Sequence, residues 1–338
     1  MVFARCAKYV IIRTVHLESI DMRDCWNREI NYLRLSVTDK CNLRCRYCMP
    51  EEGVCKKRHE DMMTEEEMVM AVEAASSLGI SKVRITGGEP LVKKNILSVC
   101  EKVSHIHGIR EVSMTTNGIL LPEMADSLRK AGVRRINISL DTLIPEKYTY
   151  ITRRKMQEKA LEGLMAALDA GFEKVKLNVV LIGGFNEVEI PELAQLTKKY
   201  PVDVRFIELM PMYDSGDFGP EAMISCDKVL EYLPDAKPSG KQEGVAKLYR
   251  LPDALGNVGL ISPVSNHFCG QCNRIRLTAD GKLKPCLHSS NEISIKGADY
   301  ETMVKLFEKA ILEKPAAHPF LSSANRSDAG RNMNQIGG

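Results

Sequence analysis

The chain has 338 residues, 44% hydrophobic and 27% charged, an ordinary balance for a soluble globular protein of about two domains. Its net charge of +3 is too small to argue for nucleic acid or a membrane surface as a partner, so any anion site must come from local placement of Arg and Lys. Eleven cysteines, an odd number, point away from a disulfide framework and toward metal ligation or catalysis in a reduced compartment.

Near the start, Tyr9-Val10-Ile11-Ile12 is the only apolar core, shorter than the ~7 residues a signal peptide needs. No apolar run approaches the ~18 residues of a transmembrane helix, so a cytoplasmic protein is expected. The first strand is expected over residues 32–37. Thr64 then caps a helix, with Glu67 completing a capping box, Met68, Val72, Ala75 and Leu78 as its apolar stripe and Gly79 as its stop.

Further strands are expected at 82–86, 111–115, 135–140, 174–182 and 203–210, separated by helices at 96–104, 123–131, 156–170 and 189–199. Six strand–helix units in a row imply an α/β fold with a parallel sheet and right-handed crossovers. Eight units would close a barrel, so six predict an incomplete (βα)6 TIM-like barrel. A Gly/Pro-rich stretch at 211–220 marks its end. The expected division is an extension at 1–21, the partial barrel at 22–215 and a C-terminal region at 216–338. That last region carries a short helix at 228–233, strands at 246–250, 258–261 and 275–278, and a helix at 299–312.

The strands alternate. Leu33, Leu35 and Val37 oppose Arg34, Ser36 and Thr38; Val83 and Ile85 oppose Arg84 and Thr86; Val112 and Met114 oppose Ser113 and Thr115. Likewise Ile136, Ile138 and Leu140 oppose Asn137, Ser139 and Asp141, and Val175, Leu177 and Val179 oppose Lys176 and Asn178. Parallel strands packed on both faces read as continuous apolar runs. A polar or cationic second face therefore predicts a lumen that holds a ligand, the alternative being a sheet face open to solvent.

Directly after the first strand comes Cys41-Asn42-Leu43-Arg44-Cys45-Arg46-Tyr47-Cys48, a C-x3-C-x2-C run. It sits at a strand C-terminus, where barrel active sites lie. Close spacing lets one loop present several thiolates to an iron–sulfur cube, and three thiolates leave one iron open. A structural zinc or electron-transfer site with Cys55 as fourth ligand is the alternative. A second set, Cys269-Gly270-Gln271-Cys272 and Cys286, fits a zinc ribbon or a second cluster by spacing alone. Beside it, the Arg274–Ile275–Arg276 segment offers two guanidinium forks that match phosphate oxygens. With Arg34, Arg84 and Lys176 these cations converge on one lumen and imply a polyanionic substrate such as a triphosphate.

C-x3-C-x2-C with an aromatic before the last cysteine, followed by Gly87-Gly88-Glu89-Pro90 after the second strand, resembles the radical S-adenosylmethionine superfamily. There a carboxylate such as that of Glu89 is available to a ligand's ammonium. The ordered motifs around Leu33 to Cys41, RITGGEP, TTNG, INISLD, RFIELM, C-x2-C-N-R-I-R with C-x13-C, and a terminal Gly-Gly resemble the GTP 3′,8-cyclase family from about Met22 onward. That resemblance implies the first step of molybdenum cofactor biosynthesis: a 5′-deoxyadenosyl radical removes the ribose 3′ hydrogen of GTP and the carbon radical attacks C8 of the base.

It further implies two [4Fe–4S] clusters, one on Cys41, Cys45 and Cys48 and one on Cys269, Cys272 and Cys286. Tyr47, Gly88, Ser139 and Met210 would contact S-adenosylmethionine. Arg34, Arg84, Thr115, Lys176, Arg274, Ile275 and Arg276 would contact GTP, with Arg274, Arg276, Gly337 and Gly338 acting in catalysis. The implied partners are an electron donor, a second subunit in a homodimer, and cyclic pyranopterin monophosphate synthase as the enzyme that takes the product. Residues 1–21 have no counterpart in this pattern and read as an extension or a mis-assigned start. Cys6, Cys25, Cys55, Cys100 and Cys226 are expected to be structural or incidental, and His267 structural rather than a ligand.

Overall fold

A computed structural model describes residues 22–54, 57–212, 218–319, 321–322 and 325–337. Its centre is the expected strand–helix repeat, numbered here in chain order. The strands are β1 (Tyr32–Ser36), β2 (Lys82–Thr86), β3 (Glu111–Thr116), β4 (Val133–Ser139), β5 (Lys174–Leu181) and β6 (Val202–Glu208). The helices are α1 (Glu65–Ser76), α2 (Ile96–His105), α3 (Leu121–Lys130), α4 (Pro145–Thr152), α5 (Gln157–Asp169) and α6 (Ile190–Lys199). The capping box at Thr64 and Glu67 is present, with the hydroxyl accepting from the Glu67 amide at 3.2 Å and the carboxylate accepting from the Thr64 amide at 2.8 Å. Helix α4 is not among the elements expected from the sequence. It starts with Pro145 at its N-terminus and buries Tyr148 and Ile151.

The C-terminal region does not stand beside the barrel. It adds β7 (Lys237–Glu243), β8 (Ala246–Arg250), β9 (Val258–Ile261), β10 (Arg274–Leu277), β11 (Lys282–Lys284) and β12 (Ile293–Ser294), with helices α7 (Lys228–Tyr232), α8 (Tyr300–Leu312) and α9 (Met333–Ile336). One twelve-stranded sheet results, in the order β12-β11-β10-β1-β2-β3-β4-β5-β6-β9-β8-β7. Strand β10 pairs parallel with β1 and β9 parallel with β6, so each edge of the expected six-stranded parallel set gains one more parallel strand. The sheet is an open barrel.

Its curvature shows in what the strands enclose. Strands β9 and β10 lie at opposite edges of the parallel set, yet only residues 262–273 connect them. Inward residues of β1 to β6, β9 and β10 line one common space, so the sheet curls around it. Apolar residues on the outward face, among them Leu33, Leu35, Ile85, Met114, Ile138, Leu177, Val204 and Phe206, meet the helices in the core and are fully buried. Each such side chain contributes about 1.5–3 kcal/mol by leaving water. The inward face is left to the polar set.

Candidate active site

The inward face encloses a chamber of about 330 Å³. Register brings its cations side by side: Arg34 of β1 is paired with Arg84 of β2 on one flank and Arg276 of β10 on the other. Across the chamber, Asn137 pairs with Lys176 and Asn178 with Arg205. Thr115 reaches Arg84, whose guanidinium donates to its hydroxyl at 3.4 Å. Arg34, Arg84, Thr115, Lys176, Arg274 and Arg276 all line this space. Ile275 does not: it is buried and packs in the hydrophobic core, as the alternation of a strand requires. A substrate contact at Ile275 would therefore run through its backbone.

The two cysteine sets stand at opposite ends of the strands, and Cys269, Cys272 and Cys286 line the chamber. Cys41, Cys45 and Cys48 follow the C-terminal end of β1, whereas Cys272 precedes β10, whose first residue, Arg274, pairs with Tyr32 at the N-terminal end of β1. Cys286 follows β11, which runs back antiparallel to β10 to the same end. Five residues of β1 separate the two ends, about 16 Å at the rise of a strand.

The first set lies in a tight cradle. A Cβ on Gly88 would stand 2.3 Å from the Lys40 carbonyl, and one on Gly87, at φ +156°, 2.5 Å from that of Thr38. Both glycines therefore allow the β2 loop to press against the chain just ahead of Cys41. The Gly88 amide donates to Thr38 O at 2.7 Å and the Glu89 amide to Lys40 O at 2.8 Å. The Glu89 carboxylate, expected to face a ligand, is occupied by the chain: it accepts from Leu91 N, Thr116 Oγ1 and Asn117 N. Burial lifts it to about 7 despite these bonds. Tyr47 donates to Asp141 at 2.7 Å, and burial raises Asp141 to about 6. Gly88, Ser139 and Met210 surround the same end, following β2, closing β4 and following β6.

Burial also pushes the thiol of Cys41 to about 11 and that of Cys48 to about 12, and Cys45 well above its ordinary value. All three are free of disulfides. Three half-buried thiols on one loop, each penalised when ionised, form a soft donor set that a metal cluster would compensate. The donor chemistry fits an iron–sulfur cluster.

Around the second set the electrostatics reverse. Burial alone would raise Cys272, yet Lys314 and Arg274 bring it below its ordinary value, and His318 does the same for Cys269. Two residues not anticipated from the sequence position this end. Lys314 donates to Arg274 O and Pro285 O, both at 2.8 Å, and Arg28 donates to Cys269 O at 2.7 Å. His267 and His318 bring ring nitrogens within 4.8 Å of Cys269 Sγ, so the histidine expected to be structural stands next to a donor atom. Thiols lowered in this way at Cys269 and Cys272 fit ligands held as thiolates.

The tail closes the chamber. Helix α9 is held by its own capping pair, Asn332 and Gln335, and Asn334 Nδ2 donates to Asp39 O at 3.0 Å. Gly337, at φ +85°, accepts a bond from Arg276 Nη1 through its carbonyl. A Cβ there would meet Thr86 Oγ1 at 2.5 Å, so this position at the mouth of β1 and β2 admits no side chain. Gly338 lies outside the described residues, as do Cys6 and Cys55. Cys100 and Cys226 are buried away from either set, and Cys25 is half-buried near Leu312.

Several chamber polar groups are buried without a protein partner: Arg274 Nε, Arg205 Nε and the side-chain oxygens of Asn137 and Asn178. Buried polar atoms are nearly always bonded, so these point to a polar ligand. Arg205 and Asn178 were legible, since they share the inward parity of β5 and β6. Tyr32 was legible in the same way, two residues before Arg34 on the inward face of β1; burial raises its phenol, but Arg84, Arg34 and Arg274 outweigh it and bring it to about 8.

Comparison with known proteins agrees with this geometry. The family described as the Radical SAM superfamily matches residues 35–197, and that described as Molybdenum Cofactor Synthesis C matches residues 202–320. A protein named GTP 3′,8-cyclase from Alkaliphilus oremlandii is 49% identical over 94% of this chain and all of that protein. One of the same name from Peptoclostridium acidaminophilum is 52% identical over 81% of this chain and 85% of that one. Among solved structures, Streptococcus suis SuiB bound to S-adenosylmethionine has the same fold over 83% of this chain and 67% of that chain, with a TM-score of 0.61 at 15% identity. No helix among the described residues is long and apolar enough to cross a membrane.

Proposed function

The chain belongs to the GTP 3′,8-cyclase family, and we propose how its residues divide the work of that reaction. The enzyme converts GTP to (8S)-3′,8-cyclo-7,8-dihydroguanosine 5′-triphosphate, the first step of molybdenum cofactor biosynthesis. Cys41, Cys45 and Cys48 would hold a [4Fe–4S] cluster. When bound, that cluster supplies the electron that cleaves S-adenosylmethionine to methionine and a 5′-deoxyadenosyl radical. Tyr47, Gly88, Ser139 and Met210 would orient the cofactor at this end.

Arg34, Arg84, Thr115, Lys176, Arg274 and Arg276 would hold GTP between the two ends, with Arg205 as a further anion contact. Cys269, Cys272 and Cys286 would hold a second [4Fe–4S] cluster facing the base. A chamber that runs along strands of about 16 Å suits a substrate whose anionic end and base must reach different walls while the ribose stays between them. The Arg276–Gly337 bond would set the tail as a plug that keeps water from the radical, with Gly338 beyond it. An electron donor would reduce the first cluster, and cyclic pyranopterin monophosphate synthase would take the product. The family resemblance also supports a homodimer.

The observation that carries this reading is one cationic chamber lined by three cysteines, with a second three-cysteine set at the other end of the same strands. Metal analysis of two triple Cys→Ala variants tests it. Each should lose half the iron of the wild type, and the variant of Cys269, Cys272 and Cys286 should still cleave S-adenosylmethionine. The neighbouring His267 and His318 favour a second possibility, a zinc site with mixed ligands. Zinc in the wild type, lost with the second cysteine set while iron stays constant, would replace the second cluster by that site.

A further inference from the structure

The chamber is built for an anion, yet a carboxylate of the chain already stands in it. Glu243, the last residue of β7, pairs with three cations: Lys176 Nζ, Arg205 Nη2 at 2.7 Å and Arg135 Nη1 at 3.0 Å. Among the described residues, Glu243 is the only carboxylate in ion-pair contact with Lys176 or Arg205. Both cations are almost fully buried, and two such charges side by side require a counter-anion. Lys176 remains depressed to about 8, by burial first and then by Arg205, so one carboxylate compensates it incompletely.

The element that delivers Glu243 is loosely held. Strand β7 is the outermost strand of the sheet and mostly exposed, and its pairing with β8 slips between Pro238 and Gln242. Gly244, which makes the turn at φ +62°, has open space where a side chain would stand. The Glu243 side chain itself is one-third exposed, so its ion pairs are partly screened.

We propose that Glu243 is an internal competitor for the anionic end of the substrate, and that the β7–β8 hairpin withdraws it when a triphosphate binds. The proposal rests on the reading that this chamber takes GTP. A phosphate chain offers Lys176 and Arg205 more charge and more acceptor oxygens than one carboxylate does. A monoanion gains too little to break three pairs. Glu243 thereby sets a minimum ligand charge and determines specificity for a polyphosphate.

The test is anaerobic calorimetry on the iron-loaded enzyme, without reductant, using GTP and inorganic triphosphate, together with amide exchange over residues 237–250. Glu243→Gln keeps the shape and removes the charge; it should bind both ligands roughly tenfold more tightly. In the wild type, GTP should speed exchange in the hairpin while protecting the strands around it. Unchanged or weaker binding in Glu243→Gln would overturn the proposal, as would a hairpin that GTP protects. The exchange measurement needs only the wild type, so it decides even if the variant is unstable. GTP binding that Lys176→Ala and Arg274→Ala leave unchanged is a separate failure: it would remove the chamber reading itself, and this proposal with it.

Discussion

Gly88 illustrates how much one residue can carry. The pattern GGEP reads in the sequence as a turn that approaches a ligand, but the structure gives it a nearer task. Its missing Cβ lets the β2 loop rest on the carbonyls of Asp39 and Lys40, immediately ahead of the first cysteine. Gly88→Ala must push backbone against backbone, which no side-chain rotation relieves. We expect that variant to fold with an intact second site and lose iron from the first, read as about half the wild-type iron. Retention of full iron would contradict this role. The chamber also carries a pH dependence whose sign is set by Lys176 and Tyr32, both titrating at about 8. A bound phosphate raises the lysine above its free value, so below about pH 8 the lysine is charged in both states and affinity is flat. Above it, binding requires proton uptake, and the Tyr32 phenolate that forms among the arginines opposes an anion as well. Affinity for inorganic triphosphate should therefore fall between pH 8 and 9.5, measured by calorimetry; a flat profile would contradict the placement of Lys176 in the anion site.

At the scale of elements, legibility followed burial. Strand β2 and strands β8 and β9 begin and end where their alternation and turn residues say they should, because one face of each meets the core. Strand β7, Lys237–Glu243, carries no such signal: its residues are polar and mostly exposed, and Pro238 is tolerated because the strand is at the edge. Its Glu243 was therefore invisible, although Arg205, which it meets, shares the inward parity of its strand. Helix α4 was missed for a different reason. Its apolar positions, Tyr148 and Ile151, are too few to declare a period, though Pro145 was a legible start. The cap of α1 is predicted to be worth about 1 kcal/mol, so Thr64→Ala should lower the thermal midpoint of the iron-loaded protein by about 1–2 °C. The tail also depends on a latch just ahead of the α9 cap: Arg331 pairs with Asp280 at 3.1 Å and with Glu292 at 2.6 Å. Arg331→Ala should leave that midpoint nearly unchanged while speeding amide exchange in residues 325–337. Equal protection in variant and wild type would assign the tail's order to α9 alone.

For the molecule as a whole, the sequence could supply the six strand–helix units and both cysteine sets, since each is local. It could not supply where the second set goes. That depends on β9 and β10 joining opposite edges of the sheet, a long-range pairing that no spacing encodes. The result is one open barrel with a cationic lumen and a cysteine set at each end of its strands. GTP deuterated at the ribose 3′ carbon, incubated anaerobically with the reconstituted enzyme, a strong reductant and S-adenosylmethionine, tests the central claim most directly. Mass spectrometry of the 5′-deoxyadenosine should find deuterium transferred from that carbon. Unlabelled 5′-deoxyadenosine, formed at a rate that GTP does not change, would contradict the account by leaving a radical enzyme that does not act on this position of GTP.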